Sequence, residues 1–311
     1  MKILVVLEDN QGTIHRMSKE AIVGAQKIGD SVIALAIGAN SQSLVSEISD
    51  IDLDEVITVN HELVSNYNAD GYAEVVKQVI DTENPKMIVS GHSYQTRDFM
   101  PRVSAKLNIP FIPDIISMDN GFIKQILNAK LNATCSTKSE QIILSFQSSA
   151  FNSDDIRLGS CSSRIFDANL SPEHIRSESE DPFQETVGDV DLENAELLVS
   201  VGRGIEKEEN VQLVYELAKV MGAEISASRP VVDSGWVESF RQVGSSGNSV
   251  APKLYFAVGI SGAIQHVVGM KGSKCILAIN KDKDAPIFEI ADYAVIGDVL
   301  EILPKLTEAL S

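Results

Sequence analysis

Polar and basic residues recur at the ends of short apolar runs in the second half of the sequence. They are Arg203, Ser228, Arg229, Ser261 and Asn280. In an open parallel sheet, ligands sit outside the carboxyl ends of the strands, so these side chains would meet at one edge if their strands are neighbours. Two arginines in a chain this acidic indicate an anionic ligand. A pyrophosphate suits them because guanidinium donors match phosphate oxygens in pairs.

The stretch from residue 254 to residue 280 has the organisation of a phosphate-binding unit. An apolar run is followed by Gly259 and Gly262, then by helical spacing over residues 263–270 and by a second apolar run. Glycine lets the backbone approach an anion, and the start of a helix offers free N–H groups and a positive dipole end. Glycine is also common in any tight turn, so the pattern alone leaves ligand binding and simple turn formation both open.

Several polar residues near these turns have a structural interpretation beside the functional one. Gln265 and His266 lie on the predicted first helical turn, where packing needs neither, but they also suit a surface position and a helix cap. Arg229 is four residues before Asp233 and could pair with it. Asp298 precedes an apolar helical segment, so it could cap that helix or accept hydrogen bonds from ribose hydroxyls.

The loop GSSGN, residues 244–248, offers serine hydroxyls and bare backbone. It could contact a phosphate or the edge of a ring, although serine–glycine stretches are commonly plain loops. The sequence contains no GxGxxG, GxxxxGK[ST], GxSxG or HExxH motif, which argues against an ordinary Rossmann dehydrogenase, a P-loop enzyme and a zinc protease. The histidines have no metal-like spacing, and we interpret His92 as surface chemistry in preference to a base.

Composition excludes several classes of partner. The chain has 26 Lys and Arg against 44 Asp and Glu, a net charge of −18, so nucleic acid and anionic lipid would be repelled. No apolar run approaches the roughly 20 residues of a membrane span, and the start MKILVVLEDN lacks a basic leader. Three cysteines without a CxxC pair support neither a disulfide framework nor a thiolate metal site. We therefore expect a cytoplasmic protein.

Alternating strand and helix patterns predict an α/β fold with largely parallel sheets and two domains. We place an amino-terminal α/β domain, of the nucleotide-hydrolase-like kind, at residues 1–188. A doubly wound ligand-binding domain follows at residues 189–311. The polar, acidic stretch 169–191 is the predicted linker.

Three more local predictions concern the first domain. Ser18 caps a first helix, and a helix over residues 96–107 has Asp98 as its cap and Pro101 in its first turn. The β-like runs 122–127 and 141–146 are predicted to add antiparallel strands to the first sheet.

Three motifs of the second domain together resemble the electron transfer flavoprotein alpha-subunit family. They are VGRG at 201–204, SASRPVVDSGW at 226–236 and the long segment from Gln242 to Asp298, in this order and at the family's spacing. The match extends from about residue 196 to the end. The first domain is less distinctive, although TRDFMPRVSAKL is similar to a segment of the family.

The resemblance implies that one FAD binds across the strand ends of the second domain. Arg203 and Ser228 would contact its phosphates or adenosine half, and Arg229, Ser246 and His266 would surround the flavin ring. Ser246 stands where many members of the family have threonine, so its hydroxyl would lack the methyl group that orients it. The other residues that the resemblance assigns to the cofactor are Gln242, Val243, Gly244, Ser245, Gly259, Ser261, Gly262, Gln265, Asn280 and Asp298.

The resemblance also implies an electron carrier, for which no nucleophile or general base is required. One-electron reduction places negative charge on the flavin ring, and a cation such as Arg229 and a donor such as His266 would stabilise it. Electrons would come from flavoprotein dehydrogenases, as in fatty acid β-oxidation, and pass to a quinone oxidoreductase or another acceptor. The family works as a heterodimer with a beta subunit that holds AMP, or a second FAD in electron-bifurcating members. The first domain would then be the scaffold for that subunit.

Two alternatives remain at this stage. One is an NAD(H)-dependent oxidoreductase or transhydrogenase-like enzyme on the same fold, which would be colourless where a flavoprotein is yellow. The other is a structural subunit that has lost its cofactor, for which the arginines and the GSSG loop would be dispensable.

Overall fold

The structure is a computed structural model that describes residues 1–119, 121–127, 130–177, 179, 190–192 and 195–311. The chain separates into two compact units, Met1–Pro182 and Phe183–Ser311. The predicted domain boundary after residue 188 lies outside the described residues. Among those that are described, no helix combines the length and apolarity that crossing a membrane requires.

The first unit is built on a nine-stranded sheet, with a separate two-residue hairpin, β2–β3. Its strands are β1 (Lys2–Val6), β2 (Asp9–Asn10), β3 (Thr13–Ile14), β4 (Ser31–Ile37), β5 (Glu55–Val59), β6 (Met87–Gly91), β7 (Phe111–Ser117), β8 (Phe122–Ile126), β9 (Leu131–Cys135), β10 (Ile142–Phe146) and β11 (Ser162–Ile165). Within the described residues the sheet order is β11-β5-β4-β1-β6-β10-β7-β8-β9. The strands from β11 to β7 are parallel, and β8 and β9 are antiparallel additions.

Within the described ranges, four α-helices cover the two faces of this sheet, as the alternating pattern predicts. They are α1 (Arg16–Ile28), α2 (Ser41–Glu47), α3 (Ala69–Glu83) and α4 (Tyr94–Leu107). The central strand β1 is buried on both sides, with Leu4 packed among residues of α3 and α4 and Ile3 among residues of α1 and α2. A strand that is buried on both faces has a nearly continuous apolar sequence, which is why these strands can be recognised from the sequence.

The prediction for the run 141–146 was wrong in direction. This run forms β10, which is fully buried and pairs in parallel with both β6 and β7. The antiparallel pairs lie one step further out, between β7 and β8 and between β8 and β9. The position of β10 follows from burial, because a largely apolar, fully buried run such as IILSF suits the centre of a parallel sheet better than its edge.

The helix starts of the first unit also differ from the prediction. The first helix begins after His15, whose Nδ1 accepts from the N–H of Met17, while Ser18 is buried and accepts from the N–H of Glu8. The fourth helix begins after Ser93, so Pro101 lies in its interior and not in its first turn. Ser93 is a better cap than Asp98 because its hydroxyl meets a free N–H three residues on.

The polar segment that ends β6 is engaged within the first unit. Nδ1 of His92 lies 2.8 Å from the hydroxyl of Ser145, and burial lowers the pKa of His92. The beginning of the predicted linker is attached as well, since Asn169 exchanges two hydrogen bonds with the side chain of Gln78 on α3. Residues 178 and 180–189 of the predicted linker lie outside the described set.

The second unit contains a five-stranded parallel sheet with short helices. Its elements are β12 (Leu197–Val201), α5 (Val211–Met221), β13 (Glu224–Ala227), α6 (Arg229–Asp233), β14 (Leu254–Val258), α7 (Ile264–Val267), β15 (Ile276–Asn280), β16 (Tyr293–Ile296) and α8 (Val299–Leu310). The sheet order is β13-β12-β14-β15-β16, and each neighbouring pair is parallel. The doubly wound α/β prediction is confirmed.

The two faces of the second sheet carry different layers. On one face, α5 and α8 pack on residues such as Val199 and Phe256. On the other face, among the described residues, the loop around Val243 and Val250, together with Met270, packs on Tyr255 and Ala257. The second face is therefore the one on which the GSSGN loop and the short α7 are fixed.

Candidate functional site

The sequence-predicted polar residues of the second unit lie at one edge of its sheet. Along the order β13-β12-β14-β15-β16, the strands end in turn at Ala227, Val201, Val258, Asn280 and Ile296. Because the strands are parallel neighbours, the residues that follow them share the carboxyl edge. Those residues are Ser228, Arg229, Arg203, Ser261, Asn280 and Asp298.

The glycines at this edge let two loops pack backbone against backbone. The strand order reverses between β12 and β14, and here the N–H of Gly204 donates to the carbonyl of Gly259 at 2.9 Å. A Cβ on Gly202 would lie 2.3 Å from the carbonyl oxygen of Gly259. A Cβ on Gly262 would lie 2.1 Å from the backbone nitrogen of Ile287. These glycines therefore have a packing role, in addition to the approach of an anion that we predicted for Gly259 and Gly262.

The helix predicted over residues 263–270 is much shorter in the structure. The α-helix α7 covers only Ile264–Val267, a single turn. A helix dipole accumulates over several turns, so α7 adds little positive potential of its own. The anion-binding argument for this segment consequently rests on its side chains and on the exposed arginines.

The loop from Gln242 to Asn248 is wedged between β13 and α7. The N–H of Val243 donates to the carbonyl of Ala227, and the N–H of Ser245 donates to the carbonyl of Gln265 at 2.7 Å. A Cβ on Gly244 would lie 2.8 Å from that same carbonyl oxygen. The loop is therefore a fitted part of the edge and not a plain connection.

Within this loop, the hydroxyl of Ser246 is exposed but oriented. It accepts a hydrogen bond of 3.0 Å from the side-chain amide of Gln242. The amide of Asn248 in turn donates to the carbonyls of Phe240 and Gln242, which closes the loop on itself. Gln242 thus supplies some of the orientation that a β-branched residue at position 246 would supply through its methyl group.

Two arginines present their charges at the edge. Arg203 is exposed and, among the described residues, its side chain makes no hydrogen bond or ion pair. Nε of Arg229 lies 3.3 Å from a carboxylate oxygen of Asp233, as the structural interpretation of Arg229 predicted. Both partners of this pair are more than half exposed, so it is weak and its guanidinium remains available to a ligand.

Two other predicted residues have structural partners, and a third is buried. Asn280 donates to the carbonyl of Ile260 and accepts from the N–H of Asp282, so it joins the turns after β14 and β15. Asp298 accepts from the N–H of Leu300 and caps α8. Ser228 is buried at the start of α6. Ser261 and Gln265, by contrast, expose their side chains at the edge.

His266 is buried at the base of the edge, with 6% of its surface exposed. Its Nε2 lies 2.8 Å from the hydroxyl oxygen of Tyr255, which itself lies 2.6 Å from the hydroxyl of Ser200. Burial lowers the pKa of His266 to about 4, and the nearby carbonyl of Val243 opposes this shift. The imidazole is therefore neutral at pH 7 and can act as a hydrogen-bond donor or acceptor but not as a cation.

One nitrogen of this ring has no hydrogen-bond partner within the described part of the chain. Among the described residues, none meets Nδ1 of His266 in hydrogen-bonding geometry, although Nδ1 is buried. A buried polar atom without a partner costs about 1–3 kcal/mol, so such atoms commonly mark a site at which a ligand completes the bonding.

The depressed pKa of His266 predicts a specific pH dependence of stability. Between pH 6.5 and about 4 the unfolded chain binds a proton at this histidine and the folded chain does not, so stability falls as the pH falls. Relative to a His266→Gln variant, the wild-type free energy of unfolding should drop by about 1 kcal/mol more between pH 7 and pH 5.5. Urea unfolding followed by fluorescence of Trp236 measures this. Equal pH dependence in both proteins would contradict it.

Sequence reasoning missed the residues beneath His266. Tyr255 and Ser200 lie inside the apolar strand runs LYFAV and LLVSV, and both are fully buried. The available signal was a hydroxyl at a position that strand alternation assigns to the core, since a buried hydroxyl requires a partner. Asn248, which closes the 242–248 loop, was likewise treated only as part of a serine–glycine stretch.

The donor set of the edge fits a dinucleotide with an anionic centre. It combines two exposed guanidinium groups, exposed hydroxyl and amide donors, and one orphaned buried ring nitrogen. In a chain with a net charge of −18, two exposed arginines at one sheet edge favour phosphate there.

Comparison with known proteins identifies the two units. The family model described as electron transfer flavoprotein domain matches residues 3–167, and the one described as electron transfer flavoprotein FAD-binding domain matches residues 191–271. The second match includes the residues from Arg203 to His266, whereas Asn280 and Asp298 lie beyond it. The second unit is accordingly a flavin-binding domain.

Individual relatives agree over nearly the whole length. The electron transfer flavoprotein subunit alpha of Bacillus subtilis is 37% identical, over 99% of this chain and 96% of the relative. That of Thermoanaerobacterium thermosaccharolyticum is 35% identical over 99% and 97%. A probable mitochondrial alpha subunit of Caenorhabditis elegans is 35% identical over 99% and 93%. With this similarity across both units, the chain belongs to the electron transfer flavoprotein alpha-subunit family.

Proposed function

We propose that this chain is the FAD-bearing subunit of a heterodimeric electron carrier. Bound FAD would accept and release electrons one at a time, and the protein would transfer them between partner proteins without making or breaking a substrate bond. The observation that carries the proposal is the edge of the second sheet, where exposed cations and neutral donors converge within a flavin-binding domain.

Each half of the edge suits a different part of the cofactor. Arg203 follows β12, at the point where the strand order reverses, and its exposed guanidinium suits the phosphates. Ser261 and Gln265 expose neutral donors beside it and suit the pyrophosphate and ribityl groups. Asn280 and Asp298 already bond within the protein, so any part they take in binding uses their remaining lone pairs and N–H groups.

The groups assigned to the flavin ring are Arg229, Ser246 and His266. Arg229 contributes a full positive charge, which stabilises negative charge on the ring in proportion to their closeness. His266 contributes a neutral hydrogen-bonding group fixed in the protein interior. Ser246 contributes a hydroxyl oriented by Gln242. Such preorganised donors favour the charged state of a bound group without reorganising.

The first unit serves as the docking scaffold for the beta subunit in this proposal. Its strand order reverses between β1 and β6, the place where a ligand would bind in such a sheet. There the hydroxyl of Ser93 bonds to the carboxylate of Glu8, and a carboxylate opposes phosphate binding. The beta subunit would hold AMP, or a second FAD if the complex bifurcates electrons. Flavoprotein dehydrogenases would be the donors and a quinone oxidoreductase the acceptor, as in fatty acid β-oxidation.

Purification of the full chain together with its beta subunit tests this function. We expect a yellow complex with one FAD for each copy of this chain, and with AMP or a second FAD in addition. Absorption spectra and nucleotide counting after acid release provide the measurement. A well-folded, colourless complex that does not take up added FAD would overturn the proposal.

A further inference from the structure

The hydroxyl of Tyr255 joins α7 to the sheet beneath the candidate site. Tyr255 lies on β14 with 0% of its surface exposed. Its oxygen is 2.6 Å from the hydroxyl oxygen of Ser200 on β12 and 2.8 Å from Nε2 of His266 on α7. One phenol group therefore connects three elements, and the histidine is the member nearest the edge.

Packing alone does not require this hydroxyl. The side chains clustered around Tyr255 are aliphatic, among them Leu198, Val243 and Met270. Phenylalanine would fill the same space without the cost of desolvating a polar group. The hydroxyl is instead surrounded by polar groups, with Ser200 and His266 at hydrogen-bonding distance and Ser226 close by. Its contribution to the protein therefore lies in what it does to these neighbours.

The donors and acceptors around His266 determine which of its ring nitrogens carries the proton. A neutral imidazole has one N–H donor and one bare nitrogen acceptor. Nε2 faces the hydroxyl of Tyr255, and the other polar group that acts on the ring is the backbone carbonyl of Val243. A carbonyl oxygen only accepts, which favours the proton on Nδ1. Nε2 is then bare and accepts from the hydroxyl of Tyr255. Hydroxyl protons rotate to suit their partners, which leaves the oxygen of Tyr255 to accept from Ser200.

We propose that Tyr255 is a positioning residue, whose hydroxyl holds the ring of His266 in one orientation with its proton on Nδ1. In consequence, the ring nitrogen without a protein partner is a donor. The use of this donor toward a flavin rests on the function proposed above. The fixed orientation and protonation of this ring, which we call the lock, is a property of the protein and exists without a cofactor. The lock and the flavin proposal can therefore fail separately.

Nitrogen NMR of the full chain, labelled with ¹⁵N-histidine, tests the lock directly. The resonances of His266 are identified by their loss in a His266→Gln variant. In the wild type at pH 7 we expect the Nδ1–H tautomer to exceed the other by at least about tenfold, as one well-formed buried hydrogen bond allows. In Tyr255→Phe the ratio should fall at least about threefold, because only the carbonyl of Val243, outside hydrogen-bonding geometry, still favours the proton on Nδ1.

A matched variant separates the lock from general loosening of the domain. Tyr215→Phe removes a half-buried phenol from α5, which packs on the opposite face of the sheet, and should leave the tautomer ratio unchanged. Fluorescence of Trp236 reports whether each variant is folded. A wild-type spectrum with a tautomer mixture or with the proton on Nε2 overturns the proposal without any variant. An unchanged ratio in folded Tyr255→Phe also overturns it. A colourless complex with a locked His266 would instead overturn the flavin proposal and leave the lock intact.

Discussion

Replacing Gly262 by alanine should destabilise the second unit by about 3–5 kcal/mol and abolish cofactor binding. Its φ of +86° lies in the left-handed region, where a Cβ costs about 1–2 kcal/mol. The new Cβ would also lie 2.1 Å from the backbone nitrogen of Ile287, which now donates to the carbonyl of Ser261. Forced separation of these segments adds an overpacking cost of about 1–3 kcal/mol and breaks that hydrogen bond.

The measurement is urea unfolding of the full chain, followed by Trp236, the single tryptophan of the sequence. Gly222→Ala is the matched control, because Gly222 has a φ of +63° but no atom within 4 Å of the added Cβ. The control should lose only about 1–2 kcal/mol, the cost of the left-handed conformation. Equal losses in the two variants would show that the contact with Ile287 is unimportant, contrary to the packing described here.

The fold was predictable where a single physical constraint determines it. Strands such as β4 and β14 are buried on both faces, so they appear in the sequence as nearly continuous apolar runs. The position of β10 was not predictable in this way. An apolar run states that a strand is buried, but its direction depends on long-range pairing with β6 and β7.

Local competition explains the errors in the helices. His15, Ser18, Ser93 and Asp98 are all capable of capping, and the sequence alone does not decide which carbonyl and N–H groups are left unpaired. The predicted helix after Gly262 had apolar residues at helical spacing, but only Ile264–Val267 is α-helical. The segment after it approaches the GSSGN loop so closely that a Cβ on Gly269 would lie 2.4 Å from the nitrogen of Gly244. This tertiary contact overrides the local pattern.

The candidate site was partly predictable for a related reason. Exposed groups at strand ends, such as Arg203 and Arg229, follow from the rule that ligands bind at the carboxyl edge of a parallel sheet. The buried groups that orient a site do not follow from that rule. Tyr255 looks like an ordinary core residue in the sequence, and its link to His266 depends on how the single turn α7 sits over β14.

Replacing Arg229 by alanine should lower the first one-electron reduction potential of the bound flavin by about 60–120 mV. A unit charge roughly 4 Å away is worth up to about 4 kcal/mol at an effective dielectric constant of 20. Arg229 is 67% exposed, so solvent screening weakens this contribution. What remains is a factor of about ten to one hundred in the equilibrium constant for one-electron reduction of the flavin. For one electron, each factor of ten corresponds to about 59 mV. Potentiometric titration of the purified complex measures the shift.

Two further substitutions separate the position of this charge from its mere presence. Arg203→Ala removes the same charge from the same sheet edge, and should weaken FAD binding at least about tenfold while changing the potential by less than about 30 mV. Asp233→Asn removes the carboxylate that now pairs with Arg229, and should raise the potential. If Arg203→Ala and Arg229→Ala lowered the potential equally, the charge would act through the net field of the edge, and the assignment of Arg229 to the flavin ring would be wrong.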